Sequence, residues 1–304
     1  MLNIFSSATI FLKFISSPIF YGVRANSFWN LMNTQNSKLK TQNLTRFDNP
    51  LPTTSYQPST KLCIIIPCYN EAKIIGTLIL SVRKEFPEAT IVVIDDCSTD
   101  NSVEVVKNTR EAIVLQLPIN VGIGGTVQTG IIYAERKGFD YLVRIDGDGQ
   151  HPVSEIKKVL APVIAGEADM SIGSRFVLST TNYESPTTNH QLCFKSTPIR
   201  RIGIYSFRLL NRLIIGQTIT DSTSGFRAYN KKLIEYLAEN YPAFDYPEPE
   251  EITLLGMNNY RIKEVSVNMQ EREYGLSSIT MLKSIYYMIK VIFAILITAS
   301  RKKC

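Results

Sequence analysis

YLVRIDGDG, residues 141–149, opens as an apolar run and ends in two aspartates separated by a glycine. A run of this kind fits a strand buried on both faces, as in a parallel sheet. The same form recurs upstream. LCIIIP (62–67) stops at Pro67, TIVVIDD (90–96) stops at Asp95 and Asp96, and AIVLQL (112–117) is a third short apolar run. Helical spacing covers Glu71 to Phe86 and Ser98 to Thr109, and Gly130 to Lys137 continues a helix. Strands alternating with helices predict βαβ units and a mostly parallel sheet. Ligands of such sheets bind beyond the carboxyl ends of the strands. Polar and acidic residues end these runs, which makes them a candidate site rather than scattered surface charge.

The chain has 304 residues, 44% of them apolar, which suits one full α/β domain with additions or at most two domains. A net charge of +6 fits an anionic ligand or a membrane surface and is far from the dense basic patches of a nucleic-acid binder. The five cysteines (Cys63, Cys68, Cys97, Cys193 and Cys304) have no zinc-type or CxxC spacing, and their number is odd. They read as free thiols in a reducing compartment.

Residues 1–58 differ from the rest. An apolar stretch from Met1 to Val23, broken by Lys13 and Pro18, gives way to a polar run that leads to Pro50, Pro52 and Pro58. It has no basic start and no small-residue cleavage site, so no secretory signal is expected. The composition reads as a disordered extension, with a weak membrane anchor as the alternative. Residues 59–280 carry the α/β pattern. Their last third holds a helix from Ile202 to Leu213, a Gly- and Ser-containing loop from Asp221 to Phe226, a further helix and the strand EVSVNM (264–269). Met281 to Ala299 is apolar and helical, interrupted by Lys283 and Lys290 and followed by Arg301, Lys302 and Lys303. A charge near the middle of a span is expensive, so residues 281–304 are expected to lie on a membrane or pack on the domain.

Two carboxylates at Asp146 and Asp148 can reach one hard cation, and the glycines let the backbone turn tightly beside a phosphate. Mg²⁺ and Mn²⁺ prefer oxygen ligands shared with substrate phosphates. The alternative is a turn with solvated aspartates. Asp95 and Asp96 end a hydrophobic strand, where burial requires donor-bearing partners. A nucleotide base is one such partner, and capping of the next helix by Asp96, Ser98 or Asp100 is the other reading. NVGIGGTVQTG (120–130) lacks the GxGxxG register, so a glycine-rich backbone beside a sugar nucleotide fits better than a dinucleotide fingerprint. His151 and His190 are the only histidines, which disfavours a His-based triad or metal site. His151 is either a contact to a metal or phosphate or a structural residue.

In this order the segments resemble glycosyltransferase family 2, in particular its dolichol- and polyprenol-phosphate sugar synthase-like and polysaccharide-building members, from about Lys61 to Ile279. IIIPCYNE resembles the family's opening strand and nucleotide-contacting loop, with Pro67, Tyr69, Asn70 and Glu71. VIDDCSTDN resembles its base-binding segment, which gives Asp95 and Asp96 that role. NVGIGGTVQTG resembles its donor-side segment, with Asn120, Gly122 and Gly125. RIDGDGQHP resembles its metal-binding DxD strand end, with Asp146 and Asp148. IGSRF (172–176) and DSTSGFRAY (221–229) resemble segments around the sugar and acceptor. In synthase-like members a catalytic-region Glu stands a fixed distance before an E-V-P segment, and an Arg follows it. Glu264-Val265-Ser266 stands for that segment here, which places the base at Glu250 and a donor-side cation at Arg272. Glu248 and Glu251 leave the base open among three glutamates. Ser278 stands where a Lys is usual, and the Q-x-x-R-W signature of processive synthases is absent, so single sugar addition is expected.

The resemblance implies a GT-A fold, a mostly parallel α/β sheet flanked by helices with a C-terminal apolar helix. It also implies inverting transfer from a UDP-, GDP- or dTDP-sugar to a lipid-linked or glycan acceptor in cell-surface glycan biosynthesis. Mg²⁺ or Mn²⁺ would be held by Asp146 and Asp148, the donor base would lie near Glu71 and Asp96, and the protein would sit at the cytoplasmic face of a membrane. Two alternatives remain: a nucleotidyltransferase of similar fold, and a non-catalytic sugar-nucleotide-binding protein. The first usually has a basic, Gly-rich loop where this chain has PCYNE, and the second is disfavoured by the presence of both aspartates and Glu250.

Overall fold

The computed structural model describes residues 61–177, 208–242, 247–269 and 281–300, with side chains from Lys290 onward in the last segment. The expectations for residues 1–58, His190, Arg272 and Ser278 lie outside these residues. The strands are β1 (Leu62–Cys68), β2 (Thr90–Asp95), β3 (Ile113–Gln116), β4 (Tyr141–Arg144), β5 (Met170–Ser174), β6 (Arg227–Asn230) and β7 (Ile262–Ser266). The helices are α1 (Ile75–Glu85), α2 (Ser102–Thr109), α3 (Gly122–Arg136), α4 (Ile156–Ile164), α5 (Lys231–Asn240), α6 (Glu248–Met257) and α7 (Met281–Ser300), with a further helical stretch over 208–215.

The strands form one sheet in the order β3-β2-β1-β4-β6-β5-β7. β6 runs antiparallel to both β4 and β5, and the other pairs are parallel. This is the mostly parallel α/β sheet expected from the sequence, with one antiparallel strand that the apolar runs did not announce. Helices cover both faces. α1 buries Ile75, Leu78, Ile79 and Val82, a stripe at helical spacing, against Ile64, Ile66 and Val93. On the other face α3 approaches closely because Gly130 has no side chain: a Cβ there would lie 3.0 Å from Cδ1 of both Ile65 and Ile94. Gly130 is thus a packing glycine.

The chain reverses direction across the sheet between β1 and β4, since β2 and β3 lie on one side of β1 and β4 on the other. That crevice, at the carboxyl ends of β1 and β4, is where open α/β sheets bind ligands. Because β6 is antiparallel, its first residue Arg227 pairs with the last residue of β4, Arg144. The loop before β6 therefore arrives at the same edge. α7 belongs to the same compact unit, which begins at Pro58. Its Val291 and Ile295 are buried and pack with Leu210 and Ile214. Among the described residues no helix is long and apolar enough to cross a membrane.

Candidate active site

The loop after β1 is stitched to the loop after β2. Asn70 adopts a left-handed φ of 57°. Its Oδ1 accepts from the amides of Thr99 (2.8 Å) and Asp100 (3.3 Å), and its own amide donates to Ser98 Oγ (2.9 Å). β1 runs on through Pro67, where the sequence suggested a stop, to Cys68, and Tyr69 after it is half-exposed at the crevice. The Glu71 carboxylate lies against Gly147. A Cβ at that glycine would overlap Glu71 Oε2 and come within 2.9 Å of the Pro67 carbonyl oxygen. Glu71 therefore faces the DGDG turn, whereas the sequence reading grouped it with Asp96 around the base.

Asp96 is engaged elsewhere. Its carboxylate accepts from the amides of Val121 (2.7 Å) and Gly122 (3.0 Å), the first turn of α3. Asn120 Nδ2 donates to the Asp96 carbonyl at 3.2 Å. The first turn of a helix leaves amides without intrahelical partners, and an anion there also meets the positive end of the dipole. The glycine-rich run is thus the start of a helix. Gly122 takes a φ of +79°, and Gly125 lies buried within the helix. Asp96 thus serves α3 rather than α2, whose N-cap residue Asn101 makes no side-chain cap bond. Of the other expected caps, Asp100 accepts from the amide of Ser102, the first residue of α2 (2.9 Å), and from the Ala72 amide (3.1 Å). Asp95 is buried, with Oδ2 accepting from the Ser98 amide at 3.2 Å and Oδ1 without a hydrogen-bond partner.

Beyond β4 the two aspartates part. Asp148 Oδ1 accepts from the Gln150 amide at 3.1 Å, which closes the turn. The Asp146 carboxylate packs on Gly225, where a Cβ would lie 2.7 Å from Oδ2. Its amide donates to His151 Nδ1 at 3.0 Å, so the proton of a neutral imidazole sits on Nε2, 3.8 Å from Asp146 Oδ2. Burial holds His151 below its ordinary pKa against the pull of Asp146 and Asp148, and its ring stacks on Phe226 at 4.9 Å. His151 thus braces the DGDG turn. Behind it lies Arg144, whose Nη2 is 2.7 Å from Glu248 Oε1 and 3.4 Å from Asp146 Oδ1. Burial opposes the guanidinium charge, but Glu248 and then Asp146 outweigh it and keep Arg144 charged.

The three glutamates at the start of α6 go three ways. Glu248 pairs with Arg144, and Glu251 pairs with Arg227 at 2.8 Å, with neither partner exposed. Burial raises the Glu251 pKa, with Arg227 and Arg144 opposing. The Glu250 carboxylate accepts from the Thr298 hydroxyl of α7 at 2.6 Å. α6 begins at Glu248, with Pro249 in its first turn. The first turn needs no donor from proline, so it tolerates one.

The DSTSG loop is held from both sides. Arg175, just after β5, grips Asp221 with Nε and Nη2, each at 2.7 Å. Glu264 accepts from the Thr220 amide (2.7 Å) and the Asp221 amide (2.8 Å). Arg144, Arg175 and the ion-pair roles of Glu248 and Glu251 escaped the sequence reading. An arginine inside an otherwise apolar run, as in YLVRID, was the one available sign, because a buried charge requires a partner.

The donor set suits a hard divalent cation. Asp146 and Asp148 could offer carboxylate oxygens near Glu71, which lies against the Gly147 between them. Among the described residues no three His, Cys, Asp or Glu side chains form a metal cage. A site of this kind is completed by substrate oxygens, as Mg²⁺ commonly is.

Residues 63–237 match the profile of Glycosyl transferase family 2. The chain is 28% identical over 232 residues to the UDP-N-acetylglucosamine–dolichyl-phosphate N-acetylglucosaminyltransferase of Methanococcus voltae, covering 70% of this chain and 87% of that protein. It is 29% identical over 234 residues to the polyprenol monophosphomannose synthase of Mycolicibacterium smegmatis, covering 74% and 83% respectively. Its fold matches the crystal structure of glucosyl-3-phosphoglycerate synthase from Mycobacterium tuberculosis in complex with Mn²⁺, UDP-glucose and phosphoglyceric acid. That match has a TM-score of 0.58 at 15% identity and covers 80% of this chain and 81% of that one. The profile spans more than half of the chain and includes the strand ends that build the crevice, so this protein belongs to glycosyltransferase family 2 and is a glycosyltransferase.

Proposed function

We propose that the protein moves one sugar, with inversion, from a nucleoside-diphosphate sugar to a lipid-linked or glycan acceptor in cell-surface glycan biosynthesis, with Mg²⁺ or Mn²⁺ at Asp146 and Asp148. The observation that supports this reading is the placement of Glu71 against Gly147 and of Asp146 against Gly225 at the crevice between β1 and β4, with Asp148 in the turn that follows. A divalent ion bound there supplies Lewis-acid stabilisation of the diphosphate leaving group. Pro67, Tyr69, Asp95, Asp96, Asn120, Gly122 and Gly125 line the base and donor side, and Arg272 supplies a further cation. Relatives named for dolichyl-phosphate and polyprenol acceptors support a lipid-phosphate acceptor.

Glu250 is the proposed base. Its spacing before Glu264-Val265-Ser266 supports this, and Glu248 and Glu251 are each ion-paired with a buried arginine. An ionised carboxylate within reach of the acceptor hydroxyl takes its proton as the oxygen attacks the anomeric carbon. A single in-line displacement inverts that centre.

The proposed setting is the cytoplasmic surface of an anionic membrane. Leu209 and Leu213 on the 208–215 helix, and Phe293, Leu296 and Ile297 on α7, are exposed apolar side chains on two helices that pack together. Exposed Arg212, together with Arg301, Lys302 and Lys303 in the sequence, adds positive charge for anionic headgroups. A screen of UDP-, GDP- and dTDP-sugars for Mn²⁺-dependent hydrolysis, then for transfer to a polyprenyl phosphate in detergent, tests the reading. No turnover of any donor would refute it.

A further inference from the structure

We infer that Arg227 is a positioning residue for the transfer reaction: its guanidinium clamps the DSTSG loop to the first turn of α6 and so holds the loop backbone against Asp146. The inference rests on the reading that places transfer at the crevice after β1 and β4. Arg227 is the first residue of β6 and is fully buried. Its Nε donates to the Ser224 carbonyl at 2.9 Å and its Nη2 to the Ser222 carbonyl at 3.3 Å, both in the loop. On the other side, Nη2 donates to the Glu248 carbonyl at 2.9 Å and Nη1 to Glu251 Oε2 at 2.8 Å, both in the first turn of α6. One side chain thus joins two segments that the sequence keeps apart.

Ser222 and Ser224 are themselves buried, and a buried carbonyl needs a donor. An arginine supplies several donors in one rigid plane, which the single ammonium of a lysine does not. Glu251 provides the counter-charge that lets the guanidinium stay buried. The effect reaches the site through Gly225, between Ser224 and Phe226. A Cβ there would lie 2.7 Å from Asp146 Oδ2 and 2.8 Å from Oδ1, so the loop backbone packs directly on that carboxylate. Phe226, next along, stacks on His151, whose Nδ1 accepts from the Asp146 amide. The start of the loop is gripped at Asp221 by Arg175 and Glu264. Arg227 therefore supplies the second anchor, and a loop released from it would let the Asp146 carboxylate shift. Asp95 and Asp96 follow β2, on the opposite side of β1 from β4 and β6, away from the clamp.

The test compares two variants of the full-length chain in Mn²⁺-dependent hydrolysis of the UDP-, GDP- or dTDP-sugar that the wild type turns over. Hydrogen exchange of residues 221–226 and melting temperature are measured alongside. Arg227→Lys keeps a positive charge for Glu251 and gives up the bonds to the loop. It is expected to lower kcat about 10–100-fold with donor KM within about threefold of wild type, and to speed exchange across 221–226 about tenfold or more. Glu251→Gln breaks the ion pair and leaves the bonds to Ser222 and Ser224 in place. It is expected to melt earlier, with kcat within about threefold of wild type. A purely structural pair would lower the melting temperature in both variants and leave kcat of the folded protein alone. Wild-type kcat in Arg227→Lys overturns the inference, and so does a loss of kcat in Glu251→Gln as large as that in Arg227→Lys. Should Arg227→Lys not fold, exchange in the wild type decides: residues 221–226 exchanging much faster than β6 overturn the inference, and equal protection supports it. A wild type that hydrolyses no donor overturns the functional reading instead, and the exchange measurements still judge the clamp.

Discussion

Asp96→Asn separates two uses of one carboxylate, holding a helix and holding a base. In the structure Asp96 accepts from the amides of Val121 at 2.7 Å and Gly122 at 3.0 Å. Asparagine keeps one acceptor oxygen and turns an NH₂ group toward the other amide. One charge-assisted bond, worth about 1.5–3 kcal/mol, is lost. The favourable interaction of the carboxylate with the α3 dipole, about 0.3–1 kcal/mol, is lost as well. The expected destabilisation is therefore about 2–4 kcal/mol, a fall in Tm of roughly 4–16 °C at the usual sensitivity of a domain this size. Asp95→Asn should be milder, since that carboxylate accepts a single amide at 3.2 Å and its other oxygen has no partner. Thermal denaturation by circular dichroism reads both, and hydrogen exchange at Val121 and Gly122 localises the effect. A Tm for Asp96→Asn equal to that of wild type, with normal protection of those amides, would refute the capping argument.

Other outcomes follow from the same geometry. Asp148→Asn should lower turnover by roughly 10²-fold or more while leaving the far-ultraviolet spectrum unchanged, and full wild-type activity in excess EDTA would exclude metal dependence. Glu250→Gln should lower kcat at least ~10²-fold with little change in donor affinity. Near-normal kcat in that variant, beside a collapse in Glu251→Gln, would move the base. Asp169 lies below the usual carboxylate range: burial pushes it up, but hydrogen bonds from Arg261 and Asn230 outweigh this. A depressed pKa contributes stability that is full above the ordinary aspartate pKa, about 3.9, and is lost as pH falls below it. Asp169→Asn should thus cost about 1 kcal/mol near neutrality and nearly nothing in strong acid, and urea titrations at both extremes that give equal losses would contradict this. Leu213→Glu combined with Phe293→Glu should weaken binding to anionic liposomes in a flotation assay without lowering Tm, and undiminished flotation would place the membrane contact elsewhere.

The apolar runs, their helical intervals and the acidic residues at their ends were legible from the sequence alone. Burial on both sheet faces and the pitch of a helix are local periodicities, so LCIIIP, TIVVID and YLVR announce parallel strands and DGDG announces a turn at a ligand edge. Antiparallel β6 was not legible. RAYN is only four residues long, and its direction is set by where the preceding loop re-enters the sheet. The destinations of the acidic side chains were also decided by the tertiary structure. Glu248 and Arg144 are 104 positions apart, and Asp96 and Gly122 are 26 apart. From the sequence, Glu248, Glu250 and Glu251 are three equivalent first-turn acids. Only the packed sheet places an arginine beside two of them and a threonine of α7 beside the third. A carboxylate's role follows from the charges and donors around it in a desolvated site, and residues distant in sequence supply them.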